Sequence, residues 1–327
     1  MLQSDRSIMT IQFYLGPMSL NVIQAAIDFH AEHSLPLTFI PSRRQVDHQG
    51  GYVANLTMER LRSLVGLVTI ERDHGGPQQG TYSDNGWDSL AEDAKWANII
   101  HIDPWKAHPD YEAGLDWTVA AIMMTRLWNP TIRFEVGTEE SIRRFEVHEV
   151  DVFLQDLETR LPPSDFAAID YVVIQCGTSL KEGMNTGAFD AERLRRMLEV
   201  VTRYGKQAKE HNGDWISRDT VVAKGAIGLR HINIAPELGE IESRSIYNRM
   251  DAEDRESFYD LCWKSRKWEK WVTDDFDPPA NKERLVLICG HYVFSHPEFL
   301  TLKAKYPGAD QDAQHAICAR LNELYGI

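Results

Sequence analysis

Short apolar runs alternate with amphipathic stretches from residue 10 to about residue 250, and this alternation predicts the fold. Residues 10–15 have strand composition and stop at Gly16 and Pro17. Ser19 then opens a helix whose Val22, Ile23, Ala26 and Phe29 share one face. The same plan recurs down the chain. Further strands are predicted at 37–40, 64–70, 99–102, 131–136, 171–175 and 229–234. Helices are predicted at 57–65, 87–97, 111–127, 141–160, 190–204 and 218–226. One strand, at 207–210, has little apolar character and is placed chiefly by the run from His211 to Asp214, which has the look of a strand mouth.

Eight strand–helix units at this spacing require parallel strands, because each crossover needs a helix. Eight such units close into a (β/α)8 TIM barrel, an α/β fold. A doubly wound open sheet is the competitor, and it is weakened by the absence of Gly-x-Gly-x-x-Gly after the first strand. The barrel is expected over 1–250, with 251–327 as a C-terminal helical extension packed on it, rich in tryptophan and charge.

In a barrel the residues after each strand gather at one rim. At the third mouth the apolar run 64–70 gives way to charge, then to Gly75, Gly76 and Pro77, and there Asp73 and His74 stand side by side. Asp73 can move protons and His74 can hold a metal. His211 would face the same cavity from the seventh strand. Glu139 follows the fifth strand but also suits the first turn of a helix. Glu135, inside that strand, suits a salt bridge. Arg43 and Arg44 at the second mouth have the fork geometry that binds a carboxylate or phosphate, though a pair of surface arginines has the same sequence. Gln45, Asp103, Lys181, Glu182, Asp214 and Asn233 fill the remaining mouths. His101, His231 and His291 adjoin apolar runs and read as structural.

Composition narrows the functional classes. The chain has 327 residues, 43% hydrophobic and 26% charged, enough for a large core. A net charge of −14 argues against broad binding to nucleic acid or anionic membranes. The cysteines at 176, 262, 289 and 318 form no C-x-x-C, which suits reduced thiols and a cytoplasmic location. No run has membrane-spanning length. A His-His-Glu set beside an acid suits a divalent metal, with Zn2+ the foremost candidate. Such a metal polarises a carbonyl and stabilises an enediolate while the neighbouring carboxylate moves the proton, the chemistry of carbon–carbon cleavage or of isomerisation next to a carbonyl.

The run from Pro41 to Tyr52 resembles the early glycine-rich signature of the tagatose-bisphosphate aldolase accessory subunits, within the zinc-dependent class II aldolases. The resemblance continues through residues 73–77, 100–103, 136–139 and 211–215, covering roughly 15 to 300 in order. It implies a (β/α)8 fold and a rim site for a sugar phosphate or keto sugar. By analogy, Asp73 would be the proton-transferring acid, His74 and His211 metal ligands, Glu139 the glutamate near the metal and Asn233 a substrate contact.

Two departures stand out. Where the catalytic enzymes carry a third histidine after a Gly-Thr-Ser-like turn, this chain has Leu180, with Glu182 or Cys176 as the nearest substitutes. Where they cradle phosphate with a glycine–serine loop, this chain has Asp214 and Trp215, as the accessory subunits do. The expected function is a metal-dependent aldolase-like lyase acting on a small sugar or sugar phosphate, with Asp73 and Glu182 catalytic. The alternatives are a non-catalytic accessory subunit bound to an aldolase partner, and a sugar epimerase or isomerase. Either a homo-oligomer or a complex with an aldolase partner subunit fits these readings.

Overall fold

The computed structural model describes residues 11–137, 145–178, 180–181 and 184–327. The chain begins with β1 (Gln12–Leu15), α1 (Leu20–His33), β2 (Thr38–Phe39), α2 (Met58–Val65) and β3 (Thr69–Gly75). It continues through α3 (Trp87–Trp96), β4 (Ile99–Ile102), α4 (Tyr111–Trp128), β5 (Arg133–Val136), α5 (Val147–Arg160), a one-turn α6 (Pro163–Phe166) and β6 (Ile169–Ile174). A small hairpin of β7 (Leu180–Lys181) and β8 (Met184–Asn185) precedes α7 (Ala191–Arg203), β9 (Gln207–Glu210), α8 (Arg218–Ile227), β10 (His231–Ile234) and α9 (Pro236–Arg249). Then come α10 (Ala252–Ser265), α11 (Lys282–Cys289), α12 (Pro297–Lys303) and α13 (Ala309–Tyr325).

Eight parallel strands close a barrel in the order β1-β10-β9-β6-β5-β4-β3-β2. The expected TIM barrel is therefore the fold. Outward-facing strand residues such as Phe13, Phe39, Ile70, Ile100, Phe134, Val172 and Ile232 are fully buried against the helix ring. The inward faces are different. Tyr14, Glu71, Glu135, Tyr171, Lys209 and His231 meet inside the barrel, where such folds ordinarily stack branched aliphatics. A weakly apolar strand such as β9 thus holds its place through Lys209 and through Glu210, which pairs with Lys224 across to α8.

The third strand starts later than its apolar run suggests. Leu64 and Val65 end α2, Leu67 is wholly exposed in the turn, and β3 begins at Thr69. It then runs through the charged residues to Gly75, with Glu71 and Arg72 each held by a buried partner. Glu71 pairs with Lys209, and Arg72 makes a bidentate pair with Asp93 at 2.7 and 2.9 Å.

From the last turns of α9 onward a second apolar cluster joins Ile246, Phe258, Leu285 and Phe299. The last helix, α13, returns to the barrel wall against α9 and α1. Asn21 knits these three helices, donating to Glu242 at 2.8 Å and to Asp310 at 2.6 Å and accepting from Gln314 at 3.0 Å. Ser19, which caps α1 through the Val22 N–H, also donates to Glu242.

Burial raises the Glu242 carboxyl to about 7, against its ordinary 4.5, with Ser19 and Asn21 partly opposing the rise. The folded chain therefore holds a proton there that the unfolded chain loses above its own pKa. The stability associated with this neutral acid is present below 4.5 and is lost as pH rises towards 7. Glu242→Gln should match the native chain at pH 5 and exceed it at pH 8 by roughly 1–3 kcal/mol in denaturant unfolding. An equal offset at both pH values would contradict this.

Candidate functional site

Asp73 and His74 are neighbours in a strand, where successive side chains normally point to opposite faces. Here the pairing of β3 with β4 shifts register between Arg72 and Gly75, and His74 takes a left-handed backbone with φ 50°. This irregularity turns both side chains into the barrel mouth. Gly76 then lets the loop close, because a Cβ there would lie 2.2 Å from the Asp103 carbonyl.

Asp73, His74, His101 and His211 converge, with one ligand atom of each lying within 4.8 Å of every other. The ring centroids of the three imidazoles are 5.0, 5.6 and 5.2 Å apart. His74 and His101 come from adjacent strands and His211 from across the mouth. Asp103 bonds His74 Nδ1 at 2.6 Å and is itself held by the Gln79 amide at 2.8 Å and the Trp105 N–H at 3.2 Å. That fixes the tautomer and turns His74 Nε2 towards Asp73, at 3.8 Å. Glu135 bonds His211 Nε2 at 3.1 Å, so its metal-facing nitrogen would be Nδ1.

Beneath the cluster lies an ion network. Lys209 Nζ is 2.6 Å from Glu71 and 2.8 Å from Glu135, and all three side chains are sealed from solvent. It also lies over the rings of Tyr14 and Tyr171, at 4.4 and 5.2 Å. Burial would strip the Lys209 proton, but Glu135 and Glu71 outweigh it and hold the ammonium near 12. The carboxyls divide the work: burial keeps Glu71 protonated far above its usual range, whereas Lys209 and His211 overcome burial at Glu135 and keep it ionised.

The other expected site residues have varied places. Arg44, Asp214 and Asn233 line the cavity with Asp73, His74 and His211. Arg43 is buried in the loop, bonded to Asp47 at 3.0 Å, to Asp84 and to the Gly76 carbonyl at 2.6 Å. Its role is to tie the second and third mouths together. Gln45 is also buried, accepting the Ser42 N–H at 2.7 Å. Asp103 sits behind His74 instead of on the cavity surface. Lys181 lies in β7, and Glu139 and Glu182 lie outside the described residues. Leu180, the residue at the missing-histidine position, does face the cavity.

His101 was expected to be structural, yet it supplies the third imidazole. Strand parity carried the signal: His101 in β4 lies two residues before Asp103, just past the strand end, the spacing that returns a side chain to the same side. Lys270 and Trp271, from the segment after α10, also reach the cavity wall, and nothing local in their sequence announced it.

The cavity has a volume of about 1260 Å3. Three imidazoles are a donor set that divalent transition metals accept, and the Asp73 carboxylate stands beside them. Asp73 Oδ1 and Asn233 Oδ1 are buried with no hydrogen-bond partner among the described residues, as acceptors awaiting a ligand are.

Several solved structures share this fold. A probable tagatose 6-phosphate kinase from Sinorhizobium meliloti 1021 superposes with a TM-score of 0.81 at 15% identity, over 97% of this chain and 99% of that one. The YdjI aldolase from Escherichia coli K12 gives 0.60 at 14% identity, over 98% and 92%. The fructuronate-tagaturonate epimerase UxaE from Cohnella laeviribosi gives 0.62 at 10% identity, over 97% and 81%. At these identities the likeness is one of fold. No protein-family model and no curated protein matches the sequence.

Two outcomes follow from this geometry. His101→Ala should lower bound metal, measured by elemental analysis after loading with Zn2+, as strongly as His74→Ala or His211→Ala. Lys209→Met should destabilise the fold by about 3–5 kcal/mol, because it strands a buried carboxylate, and adding Glu71→Gln and Glu135→Gln should recover most of that loss in urea unfolding.

Proposed function

We propose that this protein is a metal-dependent aldolase-type lyase that cleaves or forms a carbon–carbon bond near the carbonyl of a keto sugar or sugar phosphate. The observation that carries the reading is the convergence of Asp73 with the imidazoles of His74, His101 and His211. His101 bears directly on the accessory alternative: the histidine missing at Leu180 is replaced by one from β4, so the count of three imidazoles is kept. A divalent ion held by these imidazoles would polarise the substrate carbonyl and stabilise negative charge on its oxygen.

The chain's own groups supply the rest. Asp73 Oδ1 accepts the proton of the hydroxyl on the carbon that will become the aldehyde. The electrons of the adjacent carbon–carbon bond move towards the carbonyl, and Asp73 later returns the proton to carbon. Asn233 orients a substrate hydroxyl. Glu135 and Asp103 keep the His211 and His74 rings in one orientation each.

Epimerisation is the second reading, and the size of the cavity favours keeping it. The same cleavage followed by re-addition to the other face of the aldehyde yields an epimer. That requires room for the fragment to turn before it leaves, and about 1260 Å3 provides it.

Asp73→Asn should retain bound metal yet lower kcat at least about a hundredfold on whichever keto sugar or ketose phosphate the native chain turns over. Product analysis then separates a released aldehyde from an epimer. A metal-loaded native chain that turns over none of a broad keto-sugar panel, or an Asp73→Asn variant with native kcat, would sink the proposal.

A further inference from the structure

TIM barrels commonly hold an anionic substrate group at the loops after the seventh and eighth strands, on a helix N-terminus. In this chain that position is taken from within. Asp214 Oδ1 accepts the main-chain N–H groups of Ala235 at 2.8 Å and Glu237 at 2.9 Å, the first turn of α9. The buried carboxylate occupies the donors that a phosphate would use.

Positive charge stands elsewhere in the same cavity. Arg44 lines it from the loop after β2, and Lys270 lines it from the single turn that follows α10. They meet because the extension packs on that loop: Tyr52, whose N–H bonds the Arg44 carbonyl, lies 4.7 Å from the Tyr292 ring, and Ser295 donates to the Tyr52 carbonyl at 2.8 Å. Lys270 Nζ rests over the rings of Trp271 and Tyr292, at 4.4 and 5.1 Å. The charges acting on it are those of Arg44 and Lys267, and no carboxylate among the described residues pairs with Arg44 or Lys270. In a chain of net charge −14, whose neighbouring Arg43 is held by two aspartates, two bare cations on one cavity wall make a built anion site.

We infer that Arg44 and Lys270 hold the terminal anionic group of the substrate, a phosphate or a carboxylate, so that the C-terminal extension completes the site. Assigning this anion to the substrate rests on the keto-sugar reading above; the anion site itself does not. Arg44 supplies a planar fork and Lys270 a point charge, a pair that serves either oxyanion. Burial, with Arg44 and Lys267 beside it, lowers the Lys270 ammonium to about 7, and an anion between the two cations relieves that repulsion.

The test titrates sodium sulfate into the intact, chelator-treated chain by calorimetry at constant ionic strength. One sulfate per chain is expected. Arg44→Met and Lys270→Met should each weaken it about tenfold or more, Lys270→Arg should largely retain it, and circular dichroism should be unchanged. No sulfate binding by the native chain, or native affinity in both methionine variants, overturns the proposal. Competition then identifies the source: displacement by a ketohexose phosphate assigns phosphate, and displacement by a hexuronate assigns carboxylate. Displacement by neither overturns the assignment to substrate. Metal content of the same variants keeps the two readings apart, since loss of the sulfate site should leave metal bound at the histidines unchanged.

Discussion

Lys209 stands inside the barrel between Glu71 and Glu135, with no water reaching any of the three. Two carboxyls and one ammonium at this depth cannot all be charged without a large desolvation cost, so the network is satisfied only if one acid stays neutral. Glu71 is the neutral one and Glu135 the ionised one. That division matters at the rim, because Glu135 also grips His211. Replacing this interior with aliphatic side chains could give a barrel of equal or greater stability. It would remove the Glu135 bond that orients the His211 ring. The polar interior is best understood as the support for the ring of imidazoles above it.

Backbone geometry does the remaining positioning. His74, Asn212 and Trp215 are non-glycine residues in left-handed conformations, at φ 50, 58 and 54°, and all three sit at the mouths of β3 and β9. Such conformations cost on the order of 1 kcal/mol or more each and persist where packing over-determines them. At β3 the gain is explicit: adjacent residues that a regular strand would aim apart are both delivered to one cavity.

The fold was legible because the outward strand faces are apolar and the helices are amphipathic. Those faces fixed the strand count and nearly every helix. Legibility failed where burial was achieved by charge pairing. The run 64–70 has the continuous apolar character of a strand, but the strand begins only at Thr69 and continues through the charged stretch, stabilised by Lys209 and Asp93. The faint β9 has the same explanation. Among site residues, His101 was recoverable from parity with Asp103. Arg43 and Arg44 were not separable, since a loop has no periodicity to say which side chain turns inward. Lys270 lies far along the chain from the barrel strands, and only packing of the extension onto the second mouth brings it to the cavity.

The charge distribution around the cavity then stands out. Several structural cations have an acid beside them: Arg43 with Asp47 and Asp84, Arg72 with Asp93, Lys224 with Glu210, Arg320 with Glu237, while others, such as Lys206 and Arg62, are held by carbonyls. Where a helix N-terminus would attract an anion, Asp214 is already there. Internal neutralisation at so many points makes the exceptions informative. Arg44 and Lys270 both line the cavity that holds the histidine cluster, without a paired carboxylate among the described residues, in a protein with acid to spare. Mutual repulsion of this kind disfavours the charged empty site and is relieved by an anion as well as by loss of the Lys270 proton, which is the electrostatic basis of the anion site proposed above.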